Sequence, residues 1–286
     1  MPSLIRNITT KLVYPYQFDW VNAGAAVIAY RDRVYADGGI INNPLSVKYA
    51  FDCIALLTSN IGRSPLRVTW IDASFGVKID TSNRILKAYD LFGLNDWVQT
   101  VQARQPILKQ DANSVSYMFT DGIDDYLWTE NVVNWGTNKL SHIFVCQYVN
   151  SHACSYFTNN STVNLGMWYQ IYDAGGTVNA IIYDGNTNER STLGNTGRMI
   201  IQNVIDGSLS ATSKMQYYKN NIISSSVTNG NYTSNFVTDR LVIGGRIYQP
   251  VFNSMNFYGN VLFKEALSLA NTKLFADLYN RIHNTY

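Results

Sequence analysis

From Leu66 onward, turn clusters cut the chain into short segments, and within those segments the hydrophobic period is two. Leu66, Val68 and Trp70 alternate with Arg67, Thr69 and Ile71, the pattern of a half-buried strand. Further strands are expected at Val115–Phe119, His142–Val149, Leu165–Tyr172, Val178–Tyr183, Met199–Ile205, Leu241–Ile243 and Phe257–Phe263. Between them stand Asp184-Gly185-Asn186, Gly194-Asn195-Thr196-Gly197, Asp206-Gly207 and Thr228-Asn229-Gly230-Asn231. Asn, Asp and Gly bend the backbone at such points by local hydrogen bonding and by tolerating positive φ. Glu, a good helix former, occurs only at Glu130, Glu189 and Glu265, whereas Tyr is found 20 times. Many strands separated by turns at roughly 8–12 residues describe a sandwich or jelly roll.

The first third departs from that period. Val27, Tyr30, Arg31 and Val34 follow helical spacing between Ala23 and Ala36, and Asp37-Gly38-Gly39 stops the helix. A second helix opens with Asn43 as cap and Pro44 at its first position, and Gly62 lies just past its end. Its stripe is Val47, Ala50, Phe51, Ile54 and Leu57. Two helices this short cannot bury both stripes alone and must dock on the β domain or on a neighbouring subunit. Near the C-terminus Ser268 caps a final helix carrying Leu274, Phe275, Leu278, Tyr279 and Ile282 on one face, with His283 in its last turn. The expected division is a helical docking module over 1–65 and a sandwich over 66–286.

Composition removes several function classes. The net charge is +2 and no Lys/Arg stripe occurs, so there is no electrostatic footprint for nucleic acid. The longest apolar run, Ala23–Tyr30, is far short of the ~20 residues of a membrane helix. Met1–Arg6 lacks the apolar stretch of a signal peptide, so export through such a signal is not expected. Cys53, Cys146 and Cys154 are odd in number and unpatterned, which reads as reduced, buried thiols. No Gly-x-Ser-x-Gly elbow, His-Glu-x-x-His helix or phosphate loop is present.

Several motifs occur together in a telling order. Tyr89-Asp90-Leu91-Phe92-Gly93-Leu94-Asn95-Asp96, then Gln99, Gln102 and Arg104-Gln105-Pro106-Ile107, precede Phe119-Thr120-Asp121-Gly122-Ile123-Asp124-Asp125-Tyr126-Leu127. Leu241-Val242-Ile243-Gly244-Gly245-Arg246, Phe257-Tyr258-Gly259-Asn260-Val261 and Leu267-Ser268 follow near the end. From Tyr89 to the C-terminus this order resembles the laminin-G-like, concanavalin A-like jelly rolls of bacteriophage virion, tail-fibre and head-fibre proteins. Arg33-Val34-Tyr35-Ala36-Asp37-Gly38-Gly39 also looks like segments of structural proteins from phages of Bacteroidetes hosts. The resemblance implies a mainly β, concanavalin A-like (laminin-G-like) jelly-roll sandwich with a small helical N-terminal module and a short C-terminal helix. It further implies a virion protein assembled in the host cytoplasm among other virion proteins, oligomeric and by analogy trimeric, exposed outside the cell on the particle and binding host-surface glycans.

Candidate site residues follow from the chemistry such a fold could host. Sugar rings present apolar C–H faces, so a glycan site pairs exposed aromatics with amides and carboxylates. Trp128, Trp135, Trp168 and Tyr169, with Asn164 nearby, are the candidates, against the ordinary use of Trp and Tyr in a sandwich core. Asp121, Asp124 and Asp125 form the tight carboxylate cluster, to which Asp173 could add an oxygen. Calcium is the expected metal there, since oxygen donors dominate. The ordinary alternative is that these aspartates shape a turn through their own backbone.

His142, Cys146, His152 and Cys154 carry zinc-ligand chemistry, but their spacing fits no zinc pattern and the face that His142 and Cys146 share with Phe144 reads as core. The dispersed glutamates exclude the Glu-x-Asp-x-Glu strand of laminarinase-like hydrolases. The expectation is therefore a non-enzymatic virion protein without catalytic residues or an obligatory cofactor. A purely structural capsid or tail brace is the first rival and a glycan-degrading enzyme the second.

Overall fold

The computed structural model describes residues 18–149, 153–156, 168–173, 177–183, 188–194, 197–210, 214–223, 235–236, 238–246, 251–252, 254–283 and 285. The chain opens with α1 (Ala25–Ala36), β1 (Ile40–Ile41) and α2 (Pro44–Ile61). Then come β2 (Arg67–Asp72), β3 (Gly76–Ile79), β4 (Ile85–Ala88), β5 (Trp97–Val98), β6 (Ile107–Gln110), β7 (Ser116–Asp121) and β8 (Leu127–Thr129). The middle of the chain forms β9 (Lys139–Tyr148), β10 (Ala153–Tyr156), β11 (Trp168–Asp173), β12 (Thr177–Tyr183), β13 (Asn188–Gly194) and β14 (Met199–Asp206). The last elements are β15 (Met215–Lys219), β16 (Ile222–Ile223), β17 (Val242–Ile243), β18 (Gly245–Arg246), β19 (Val251–Phe252), β20 (Ser254–Phe263) and α3 (Leu269–His283). None of the described helices is long and apolar enough to cross a membrane.

Two antiparallel sheets face each other. One has six strands in the order β1-β3-β4-β5-β8-β17. The other has eight: β16-β15-β14-β9-β20-β7-β6, with β2 also paired to β20. Strand β20 is long enough to hold β9 along one side and, end to end, β7 and β2 along the other. Val77, Ile85, Trp97, Leu127 and Ile243 of the six-stranded sheet meet Ile71, Phe144, Cys146, Ile201, Phe257 and Leu262 of the larger one in the inter-sheet core. Strands β10 to β13 form a separate antiparallel meander, and β18 pairs with β19.

The helices cover the far face of the eight-stranded sheet, making a third layer. Trp70, Ile143, Val145, Ile200, Val261 and Phe263 point out of that sheet into a second core with Val34 of α1, Leu57 of α2 and Phe275 and Tyr279 of α3. Strand β2 is therefore buried on both faces after Arg67, and the half-buried expectation for it is corrected. A bulge between Arg67 and Thr69 shifts its register, so Val68 and Ile71 face the inter-sheet core and Trp70 the helices.

Helix bounds follow local signals. The Asn43 side chain accepts the Ser46 N–H at 3.1 Å, Pro44 needs no donor at the first turn, and Gly62 ends α2 in the left-handed region. At α3, the Ser268 hydroxyl oxygen accepts the Asn271 N–H at 3.3 Å. Its last turn reaches back to the sheet: His283 Nε2 lies 2.7 Å from Asp72 Oδ2 with both side chains fully buried. Gly259 beside them has no room for a side chain, because a Cβ would sit 2.4 Å from the Asp72 carboxylate. Helix α1 is tied down by Tyr30, whose hydroxyl accepts the Gly76 N–H at 2.9 Å and donates to the Tyr89 carbonyl at 3.1 Å.

The loop Tyr89–Asp96 folds around one carboxylate. Buried Asp90 accepts N–H groups from Trp70, Phe92, Leu94 and Asn95. Burial pushes its carboxyl up to about 6, against the pull of those four donors. Arg33 of α1 grips the same loop, forking onto Asp96 and donating to the Asp90 carbonyl.

Candidate functional site

Strand β7 hands over to β8 through the turn Asp121-Gly122-Ile123-Asp124-Asp125. Asp121 Oδ1 accepts the Ile123 N–H at 2.8 Å and the Asp124 N–H at 3.4 Å, and Asp125 Oδ2 accepts the Asp121 N–H at 3.1 Å. One carboxylate oxygen from each aspartate lies within 4.8 Å of the others. Asp125 is only 3% exposed, and its carboxyl is pushed up to about 7 by burial and then by the charges of Asp121 and Asp124. Hard oxygen donors suit calcium, and these three supply part of the six to eight such an ion takes. The same hydrogen bonds make the aspartates turn formers in their own right. Gly244 closes over the turn at φ +94, where a Cβ would come within 2.7 Å of the Asp125 carbonyl oxygen.

Two residues further on, alternation in β8 sends Leu127 and Thr129 inward and Trp128 out. Trp128 stands in register with Val98 of β5 and Val242 of β17 on the outer face of the six-stranded sheet. It is half-buried there, with Tyr126 edge-on at 5.9 Å and Phe252 stacked on Tyr126 at 6.2 Å. The Arg240 guanidinium lies over the Trp128 ring, 4.5 Å from its centroid. The Asp239 carboxylate accepts the Arg240 backbone N–H at 2.7 Å and reaches no ion pair with the guanidinium. Burial raises the Asp239 carboxyl above its ordinary value.

The other edge of the same face is charged and internally neutralised. Lys78 Nζ is 3.0 Å from Asp37, and Lys87 Nζ is 3.3 Å from Asp37, 3.6 Å from Asp96 and 3.8 Å from Glu130. The Lys78 contact, the Tyr89 hydroxyl and Lys87 hold the Asp37 carboxyl down at about 2.

The remaining sequence candidates fall elsewhere. Trp135, expected beside Trp128 at a ligand, is 3% exposed and packs on Phe236 at 5.4 Å in the inter-sheet core. It gets there because the backbone around it pairs with the 236–241 segment, as Val133 does with Asp239. Trp168, Tyr169 and Asp173 lie on β11, Trp168 opposite Tyr183 and Asp173 opposite Ala153 and Val178. Their side chains, and all of Asn164, lie outside the described residues. His142 and Cys146 share the inter-sheet face of β9, and burial drives the His142 imidazole well toward its neutral form. His152 and the Cys154 side chain are outside the described residues. Sequence reasoning passed over Arg240, since only the β8–β17 register brings it to Trp128.

No protein-family model matches the chain, and a search of curated protein sequences gives no match. Solved structures do match in shape. The ligand binding domain of botulinum neurotoxin serotype D, in complex with N-acetylneuraminic acid, superposes with a TM-score of 0.51 at 12% identity, covering 74% of this chain and 50% of that one. The receptor binding domain of a botulinum neurotoxin C/D mosaic gives 0.51 at 12%, over 74% and 51%. A Trypanosoma rangeli sialidase in complex with 2,3-difluorosialic acid gives 0.51 at 10%, over 84% and 39%. The chain thus spans about half or less of the length of these proteins.

At such identity the likeness establishes the fold alone, a jelly-roll β-sandwich with a short C-terminal helix. It also corrects one expectation. Sialidases stand beside binding domains among the similar structures, so the sequence-based expectation of a non-enzymatic protein does not hold.

Proposed function

We propose that this chain is a carbohydrate-binding sandwich protein carried on a bacteriophage particle, where it attaches to glycans of the host surface. In this reading residues 1–65 form the particle-facing module and 66–286 the displayed sandwich. The carrying observation is the outer face of the six-stranded sheet at Trp128. A large aromatic stays half-exposed there on a rigid strand, shouldered by Tyr126 and Phe252 and flanked by Arg240. Rings with C–H faces and charged or hydroxyl substituents fit such a mixture of apolar shoulder and polar donor. Similar structures whose ligands are sialic acids support the reading at the level of fold. The motif order from Tyr89 to the C-terminus, resembling phage virion jelly rolls, supports the particle. Weak single sites multiplied over a trimer and many copies would supply avidity.

A glycan array probed with the full-length protein and with Trp128→Ala tests this. The expected result is binding to a subset of surface glycans, lowered roughly 10-fold or more by the substitution. An array without signal from a folded oligomer would contradict the reading and favour a structural brace.

A further inference from the structure

We infer that Arg240 reads an anionic group, so that the preferred ligand is an acidic sugar bearing a carboxylate or a sulfate ester. This rests on the glycan reading above and narrows it to a ligand class.

The first argument compares the arginines that lie over aromatic rings. Arg31 over Trp20 is paired with Asp32, Arg33 over Tyr30 and Tyr89 with Asp96, and Arg198 over Tyr258 with Asp111. Arg281 over Tyr49 donates to the Tyr49 hydroxyl. Among the described residues Arg67 over Phe92 has no such partner, but it is exposed and water meets its donors. Arg240 differs from all of these. It is half-buried, and among the described residues no carboxylate, carbonyl or hydroxyl accepts from its guanidinium.

A guanidinium carries five N–H donors in a rigid plane. Attraction to the Trp128 ring favours the cation but satisfies none of those donors, because the π-face accepts charge rather than in-plane hydrogen bonds. Partial burial removes some of the water that would otherwise do so. The guanidinium, 4.5 Å from the ring centroid, presents these donors as a planar fork. A planar carboxylate or a sulfate edge matches that fork with two parallel bonds. The neighbouring carboxylates leave the guanidinium donors unbonded: Glu130 is engaged by Lys87, and Asp239 accepts the backbone N–H of Arg240 and attracts its charge without forming an ion pair.

The geometry also bears on neutral sugars. A pyranose stacking on Trp128 would need the ring face that Arg240 covers. A ligand that bonds Arg240 edge-on leaves the stack intact and rests its apolar face on the parts of Trp128 and Phe252 that stay exposed.

The test is equilibrium binding of the full chain to three saccharides of one backbone: neutral, carboxylated and sulfated. It is run on the wild type, Arg240→Gln and Arg240→Lys, with thermal melting confirming that each variant is folded. Either acidic form is expected to bind roughly 10- to 100-fold more tightly than the neutral one, with added salt weakening only the acidic ligands. Arg240→Gln is expected to bring the acidic forms down to the affinity of the neutral one, and Arg240→Lys to restore part of the preference. Which acidic form is preferred identifies the source of the anion. Equal binding of all three, unaffected by Arg240→Gln, would overturn the inference and leave the glycan reading standing. Binding of none of them, with an array blank for every glycan, would overturn both.

Discussion

At the residue scale, the acidic turn holds a strongly displaced ionisation. Asp125 sits buried beside two other carboxylates, and its carboxyl is raised to about 7 from an ordinary value near 4. Between those two values the folded chain keeps a proton that the unfolded chain releases, so stability contributed by this group is present at pH 4 and is lost as pH rises toward 7. Asp125→Asn keeps the shape and removes the charge. Its stability, measured by urea unfolding from pH 4 to 7.5, is expected to vary less with pH than that of the wild type and to exceed it at neutral pH. A parallel decline in both proteins would show that Asp125 does not titrate in this window. Asp37 works in the opposite sense, since its lysines hold it near 2 and its contribution disappears only in strong acid.

At the element scale, the helical layer and the sandwich share a broad apolar core in which Trp70 meets several other rings. Its ring centroid lies 5.3 Å from Phe275, 5.8 Å from Phe75, 6.0 Å from Phe92 and 6.2 Å from Tyr279. One indole thus joins β2, the Asp90 loop and α3. Trp70→Ala leaves a cavity between layers that already share backbone ties, and a loss of about 3–5 kcal/mol is expected in chemical denaturation. The loss should come with earlier amide exchange in α3 than in β9 or β20, because α3 is held by that packing rather than by a ladder. Exchange rising equally in all three would show one cooperative unit without a weaker layer. The bounds of α2 were legible in the sequence, because Asn43, Pro44 and Gly62 act through chemistry within a few residues. The burial of β2 was not: alternation suggests one wet face, and only the helices packed over Trp70 remove it.

At the scale of the whole molecule, the sandwich was legible because period-two segments and turn clusters recur along the chain. The site was legible only in part. Trp128 could be singled out as an aromatic among polar neighbours, yet the same reasoning chose Trp135, which the packing of a loop places in the core. Arg240 escaped notice because it is distant in sequence and joins Trp128 through strand register alone. The pairing of His283 with Asp72 escaped for the same reason: a helix-terminal histidine looks like a dipole partner until α3 is laid against β2.

The most direct test of the central claim, that ligand is bound on the six-stranded sheet at Trp128, is the indole N–H spectrum of the nitrogen-15-labelled protein during titration with an acidic oligosaccharide. Trp128→Phe assigns its resonance. The account expects the Trp128 signal to shift in saturable fashion while those of Trp70 and Trp97, both fully buried, stay in place. Saturable binding that leaves the Trp128 signal unmoved would contradict it.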